Sequence, residues 1–257
     1  MTRVLRSLKE FRGARDALSG SVGFVPTMGA LHEGHASLLR RARAENESSI
    51  LSIFVNPTQF DDPGDLANYP STLEADLEIA GREGVDLVLV PSAAELYPDG
   101  YRYRVLETDL SATLDGPHRP GHFEGVLTVV MRLLQLVRAR RAYFGEKDYQ
   151  QFLLIRGMAD AFFLGTEILP CPTVREADGL AMSSRNRRLS PSDRARAALL
   201  PRFLRESATP EAARAALLEA GFEVDYVKDV DGRRFVAATI GGVRLIDNLT
   251  RGPDALP

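Results

Sequence analysis

Val22-Gly23-Phe24-Val25-Pro26-Thr27-Met28-Gly29-Ala30-Leu31-His32-Glu33-Gly34-His35 decides the fold. An apolar β-type run, Val22 to Val25, ends in a glycine-bearing turn, and helix-period sequence begins near Gly34. Strand, tight turn and helix form the opening unit of a parallel sheet wrapped by crossover helices. Ligands bind such sheets at the carboxyl ends of the strands, so this turn is the first candidate site. Gly29 and Gly34 allow close backbone approach, and a helix start offers unpaired N–H groups and the positive end of a dipole. His32 and His35, three residues apart, can face one turn, a combination suited to a polyphosphate. The chain has only four histidines, and two of them stand here. A metal pair on a helix would want i, i+4 spacing and further ligands, whereas His118 and His122 fall in an irregular segment.

The same alternation continues outward. Further strands are expected at Ile50 to Val55, Asp86 to Val90, Ala142 to Phe144 and Thr166 to Leu169, with helices starting near Thr72, Glu124 and Asp148. The helix starting near Glu124 carries Val126, Val129, Val130, Leu133, Leu134 and Val137 as one apolar stripe that packs on the sheet. Pro91 to Gly125 is too long for a simple connection and reads as a functional insertion. After Ser190 the texture changes. A helix is expected over Pro191 to Leu204, then one with Thr209 as N-cap and Pro210 in its first turn. Three short strands follow around Phe222 to Tyr226, Arg234 to Ile240 and Val243 to Asp247, separated by Asp231-Gly232 and Gly241-Gly242 turns. The fold class is therefore α/β: a Rossmann-like parallel-sheet nucleotide-binding domain over 1–173 and a smaller C-terminal α+β domain over 174–257.

At 257 residues the chain can bury a sizeable core, and 44% hydrophobic with 26% charged residues excludes a disordered chain. A net charge of -3 gives no global attraction to nucleic acid or anionic membranes, so any phosphate must be held by specific groups. The single cysteine, Cys171, cannot form an intrachain disulfide, which points to a reducing compartment. The N-terminus mixes Arg3, Arg6, Lys9 and Glu10 among apolar residues and lacks a signal's apolar core; a cytoplasmic location is expected.

Further segments carry chemistry. Phe144-Gly145-Glu146-Lys147-Asp148-Tyr149-Gln150-Gln151 again follows a strand and opens a helix; its charges suit phosphate and cation, or an ordinary acidic first turn. Val174 to Asn186 includes Met182-Ser183-Ser184-Arg185, which reads either as a phosphate clamp or as a polar linker. Asn56 and Gln59 are neutral groups suited to a small polar substrate, although Asn56 before Pro57 also suits an Asx turn. Arg119-Pro120-Gly121-His122-Phe123 precedes the long helix.

Taken in order and spacing, Pro26 to His35, Phe54 to Phe60, Arg119 to Phe123, Phe144 to Gln151 and Gly179 to Asn186 resemble the motifs of the pantothenate synthetase family, and Arg244 to Asn248 extends the resemblance almost to the C-terminus. The family sits in the nucleotidyltransferase superfamily, whose two signatures are matched as His32-x-Gly34-His35 and, more loosely, Met182-Ser183-Ser184-Arg185. The resemblance implies ATP, pantoate and β-alanine as substrates, Mg²⁺, a pantoyl adenylate intermediate, and pantothenate, AMP and diphosphate as products. It implies a homodimer through the nucleotide domain, with no nucleic-acid or membrane partner. It makes His32, His35, Lys147, Ser183, Ser184 and Arg185 the candidate catalytic set. Pro26 to His35, Gly145 to Asp148, Val174 and Met182 to Arg185 would contact ATP. Gln59 and Gln151 would hold pantoate, with Asn56, Arg119 and His122 shaping that site, and Asp76 would help place magnesium. The rivals are a nucleotidyltransferase of the same fold acting on a phosphate acceptor and a non-catalytic nucleotide-binding regulator. Ser71 departs from the family, which usually has arginine there, and the stretch from Arg202 to Asp225 is short for it.

Overall fold

The computed structural model describes residues 2–251. The chain forms two compact units: one runs to Glu146 and resumes over Gln150–Cys171, the other comprises Lys147–Tyr149 and the chain from Pro172 on.

The first unit is built on a six-stranded, all-parallel sheet. Its elements are β1 (Arg3–Leu5), α1 (Leu8–Asp16), β2 (Val22–Thr27), α2 (Glu33–Glu45), β3 (Ser48–Ile53), α3 (Pro63–Ala67), α4 (Leu73–Arg82), β4 (Leu87–Leu89), α5 (Ala93–Leu96), α6 (His122–Val137), β5 (Arg141–Gly145), α7 (Tyr149–Ala161, whose first residue groups with the second unit) and β6 (Glu167–Cys171). The spatial order is β1-β4-β3-β2-β5-β6. From β2 the chain therefore builds outward on one side, then returns to place β5 and β6 on the other. The reversal lies between β2 and β5, where Phe24 pairs with Ala142, and such a switch point opens a crevice at the strands' carboxyl ends. β2 and β3 also run in step, Thr27 opposite Ile53, so the loops leaving β2, β3 and β5 share one edge.

Burial explains the strands. β3 is buried along its whole length, as expected of a central parallel strand covered on both faces. Val25, Leu51 and Val88 pack with Leu38, Leu39 and Ala42 of α2 in one apolar cluster. The apolar stripe of α6 is buried, and so are Phe123, Leu127 and Thr128 on its flanks, because this helix also meets the Pro57–Gln59 turn. Strand β1 is an addition that a search for a signal peptide overlooks: Arg3 to Leu5 pair with Leu87 to Leu89. Three residues carry too little periodicity to announce a strand.

In the second unit α8 (Pro191–Ala197), α9 (Leu199–Glu206) and α10 (Pro210–Glu219) precede β7 (Glu223–Val230), β8 (Arg233–Ile240) and β9 (Val243–Thr250), an antiparallel sheet in the order β7-β8-β9. Leu200, Leu204, Leu217, Val236, Ala238 and Leu245 belong to its core. The helix expected over Pro191 to Leu204 is broken at Ala198. Pro201 has no N–H to continue one ladder, and the break puts it in the first turn of a new helix, where none is needed. Thr209 caps α10 as expected, accepting from the Ala212 N–H at 3.2 Å. Both hairpin turns use positive φ at two consecutive residues, Asp231-Gly232 and Gly241-Gly242.

Candidate active site

The turn after β2 enters α2 through a reciprocal cap made by its two histidines. His32 is the N-cap; its Nδ1 accepts from the Gly34 N–H at 3.1 Å, and His35 Nδ1 accepts from the His32 N–H at 3.3 Å. The rings lie 4.2 Å apart. A ring nitrogen that accepts an N–H carries no proton, so each neutral imidazole holds its proton on Nε2. The same contacts that start the helix thus place two Nε2–H groups at its positive end.

A buried carboxylate shapes this turn. Gly29 and Ala30 both have positive φ, 84° and 52°, an arrangement of low intrinsic stability at a non-glycine residue. Asp76 of α4, 1% exposed, holds it: Oδ2 accepts from the Ala30 N–H at 2.9 Å and Oδ1 from the Leu31 N–H at 2.7 Å. The Thr72 hydroxyl adds a bond to Oδ1 at 3.2 Å. A β-carbon on Gly29 would stand 2.9 Å from Asp76 Oδ2, which explains the glycine.

The loop after β3 is equally tied down. Asn56, 1% exposed, accepts on Oδ1 from the Tyr97 hydroxyl at 2.6 Å and the Thr58 hydroxyl at 3.0 Å. Its amide donates to Gly125 O at 3.2 Å and to Gln59 Oε1 at 3.0 Å. Asn56 is therefore internally engaged, and with Oε1 occupied Gln59 offers its NH2 as the donor for a ligand. The Gln59 backbone is fixed as well. His122 Nδ1–H donates to Gln59 O at 2.8 Å, Arg119 donates to His122 Nε2 at 3.0 Å, and Arg119 Nε pairs with Asp61 at 3.0 Å. Burial first, and the neighbouring Arg119 cation second, push the His122 pKa down to about 4, so the ring stays neutral and keeps this directionality. Sequence reasoning missed Tyr97, because its hydroxyl meets Asn56 only when the insertion folds back.

Of the two adjacent glutamines opening α7, Gln150 is buried and holds the insertion, accepting from the Asp115 N–H at 3.1 Å and donating to Thr113 O at 2.8 Å and Leu110 O at 2.9 Å. Gln151 is the half-exposed one. Gly145 ends β5 at the switch point, and Glu146 opens the short 3-10 turn that follows.

Within the second unit Lys147 Nζ lies 3.3 Å from Asp148. Val174 to Met182 forms a short hairpin, with Arg175 bridging Ala181 and the Met182 N–H donating to Val174 O at 3.0 Å. Ser183 then caps a 3-10 turn, Ser184–Arg188, its hydroxyl accepting from the Arg185 N–H at 3.3 Å, and Ser184 is buried. Ser183 to Asn186 is an ordered turn and not a bare linker.

A separate cleft of about 570 Å³ lies at the amino ends of the strands, lined by Arg15, Arg138, Arg140 and Arg141. Three of these arginines serve local structure: Arg15 donates to Val137 O and Arg138 O at the end of α6, Arg138 pairs with Asp16, and Arg141 pairs with Glu167. Among the described residues no group of three or more His, Cys, Asp or Glu stands together as a metal cage. No helix among them is long and apolar enough to cross a membrane.

Comparison with known proteins gives a consistent result. The family model for pantoate-beta-alanine ligase matches residues 2–250. A pantothenate synthetase of Bdellovibrio bacteriovorus is 57% identical over 249 residues, covering 97% of this chain and 99% of its own. One from Coxiella burnetii is 47% identical over 255 residues, 99% of each chain. A crystal structure of pantoate-beta-alanine ligase from Francisella tularensis, complexed with beta-gamma ATP and beta-alanine, superposes with a TM-score of 0.95 at 40% identity, covering 99% of this chain and 100% of that one. Pantothenate synthetase from Thermus thermophilus superposes at 0.91 with 42% identity, over 99% and 100%.

Proposed function

Because the chain belongs to the pantoate-beta-alanine ligase family, we propose that its active site is assembled on the loops leaving β2, β3 and β5. The enzyme condenses pantoate with β-alanine at the cost of ATP, giving pantothenate, AMP and diphosphate. A carboxylate is a poor electrophile, so the acid must first be activated. A pantoate carboxylate oxygen attacks the α-phosphorus, the bond to the bridging oxygen breaks, and diphosphate leaves. The amine nitrogen of β-alanine then attacks the acyl carbon of the adenylate, the C–O bond breaks, AMP leaves and the nitrogen loses a proton.

In this chemistry the protein positions reactants in line and offsets charge on phosphoryl oxygens. One observation carries the assignment: the cap of α2 sets the tautomer of both histidines and places their Nε2–H groups at a helix N-terminus on the switch-point edge, while the loop after the neighbouring strand holds Gln59 with its Oε1 already accepting from Asn56. We assign His32 and His35 to the phosphates, with Pro26 to Leu31, Glu33 and Gly34 lining the nucleotide, and Gln59 to pantoate together with Gln151. Asn56, Arg119 and His122 act through Gln59. Gly145 and Glu146 belong to the nucleotide's surroundings. Lys147, Asp148, Val174, Met182, Ser183, Ser184 and Arg185 complete the proposed phosphate-handling set by resemblance.

Magnesium enters as the counter-ion of ATP and supplies further charge neutralisation on the phosphates. Asp76 does not fit a role in holding it: both oxygens already accept backbone N–H groups, and the carboxylate is buried. We assign it to the turn instead, as the group that keeps Gly29 and Ala30 in their left-handed conformations. A homodimer and a cytoplasmic location remain part of the proposal, the first measurable by sedimentation.

The test is diphosphate release from ATP and Mg²⁺ with pantoate alone, then AMP and amide formation on adding β-alanine. Stoichiometric release that requires pantoate, followed by turnover that requires both, is the expected result. Release that proceeds without pantoate, or none despite tight ATP binding, refutes it.

A further inference from the structure

We infer that the dipeptide Asp247-Asn248 on the last strand positions the phosphate-handling residues, Asn248 through Lys147 and Asp247 through the segment that leads to Ser183, Ser184 and Arg185. This rests on the ligase reading above and assigns a role to two residues outside the proposed reacting set.

Asn248 is 4% exposed, and its Nδ2 donates to the Lys147 backbone carbonyl at 2.9 Å. Its Oδ1 accepts from the Arg233 guanidinium, which itself lies 3.8 Å over the ring of Tyr149. The backbone that carries Lys147 is therefore held at its own carbonyl and, two residues on, through an aromatic ring. Once the backbone of a flexible side chain is fixed, its ammonium group samples a smaller volume, which is how a neighbour raises its effective concentration at a phosphate oxygen.

Asp247 faces a different task. Its side chain is 1% exposed and takes a two-pronged bond from Arg175, at 2.7 and 2.9 Å. Arg175 also donates to Gly179 O at 3.0 Å, closing the hairpin whose end is Met182. β9 packs against the 3-10 turn Ser184–Arg188 directly. Consecutive side chains of a strand leave on opposite faces, so two neighbours can serve two segments far away in sequence. A bidentate arginine–carboxylate pair is among the stiffest couplings available, and leaving one partner buried alone is costly.

A merely structural role for Asn248 would affect stability without acting through Lys147, and a double-mutant cycle separates the two. Asn248→Asp keeps the acceptor for Arg233 but puts an oxygen where the donor to Lys147 O stood. Single-turnover diphosphate release with saturating ATP and pantoate is measured for wild type, Asn248→Asp, Lys147→Ala and the double variant, with melting midpoints alongside. The expected result is a loss of roughly ten- to a hundredfold for Asn248→Asp, a KM for pantoate within about twofold of wild type, and a further loss under about twofold when Lys147 is already Ala. An equal loss in both backgrounds, or a wild-type rate in the single variant, overturns the inference while leaving the ligase reading intact. No pantoate-dependent release from the wild-type protein overturns that reading, and this inference with it. Should Asn248→Asp not fold, Asn248→Ala carries the same cycle and the same two outcomes.

Discussion

Gly125 lies inside α6, where alanine would ordinarily be better by about 1 kcal/mol because it loses less backbone entropy. Here the sign should reverse. A methyl group at 125 would stand 2.3 Å from Thr58 O, 2.6 Å from Thr58 C and 2.7 Å from Gln59 Cα, and ordinary contact begins at 3.4 Å. The helix and the Pro57–Gln59 turn must then separate by about 1 Å, and every atom met is backbone, with no rotamer to yield. Overpacking of this kind costs about 1–3 kcal/mol. Set against the helix gain, Gly125→Ala should lose about 0–2 kcal/mol net, a fall of up to several degrees in melting midpoint at roughly 2–4 °C per kcal/mol. The displacement also moves Gln59 and stretches the Asn56 bond to Gly125 O, now 3.2 Å. A misplacement near 1 Å in a positioning group costs on the order of 10² in rate. Pantoate-dependent diphosphate release should therefore drop about that much in kcat/KM for pantoate, with ATP binding within a fewfold of wild type in a titration. A variant that melts higher than wild type and uses pantoate normally would refute the packing reasoning outright.

His35→Ala removes one Nε2–H donor and should cut single-turnover adenylate formation by about 10² or more while leaving the fold intact by circular dichroism; a near-normal rate sinks the assignment. Gln59→Ala should weaken pantoate far more than ATP in calorimetric titrations, and equal weakening of both would count against it. Asp76→Asn leaves a buried N–H of Ala30 or Leu31 without its acceptor, at about 1–3 kcal/mol, and should slow adenylation with the Mg²⁺ half-saturation unchanged; a tenfold shift in that half-saturation would return Asp76 to the metal. For His122, folding lowers the pKa from 6.5 to about 4. The neutral ring's contribution is therefore present above pH 6.5 and lost as pH falls through about 4. It amounts to about 3 kcal/mol at 1.36 kcal/mol per unit, so denaturant midpoints of wild type should fall between pH 6.5 and 4 more steeply than those of His122→Gln. Parallel slopes would contradict the buried neutral ring.

Much of this was legible in the chain itself. The parallel sheet, the helix start near Gly34, the Thr209-Pro210 start of α10 and the two glycine hairpins follow from residues within a turn or two of one another, and local periodicity and turn chemistry suffice to read them, whereas the cap made by His32 and His35 appears only in the structure. The ordered motifs were enough to point to the family. Other features depend on partners far along the chain. β1 exists because Leu87 to Leu89 offer an edge. Asn56 makes the Asx turn that Pro57 suggested, its Oδ1 accepting from the Thr58 N–H, but it is also the buried centre that Tyr97, Gly125 and Gln59 share. Asp76 is separated by more than forty residues from the amides it accepts, and Asn248 by a hundred from the carbonyl it holds. Sequence determined which residues can do the chemistry, since that is a property of each side chain and its immediate neighbours. Only tertiary structure decided which of them are engaged in holding the others, because a buried polar group acquires its role from whichever distant backbone group satisfies it.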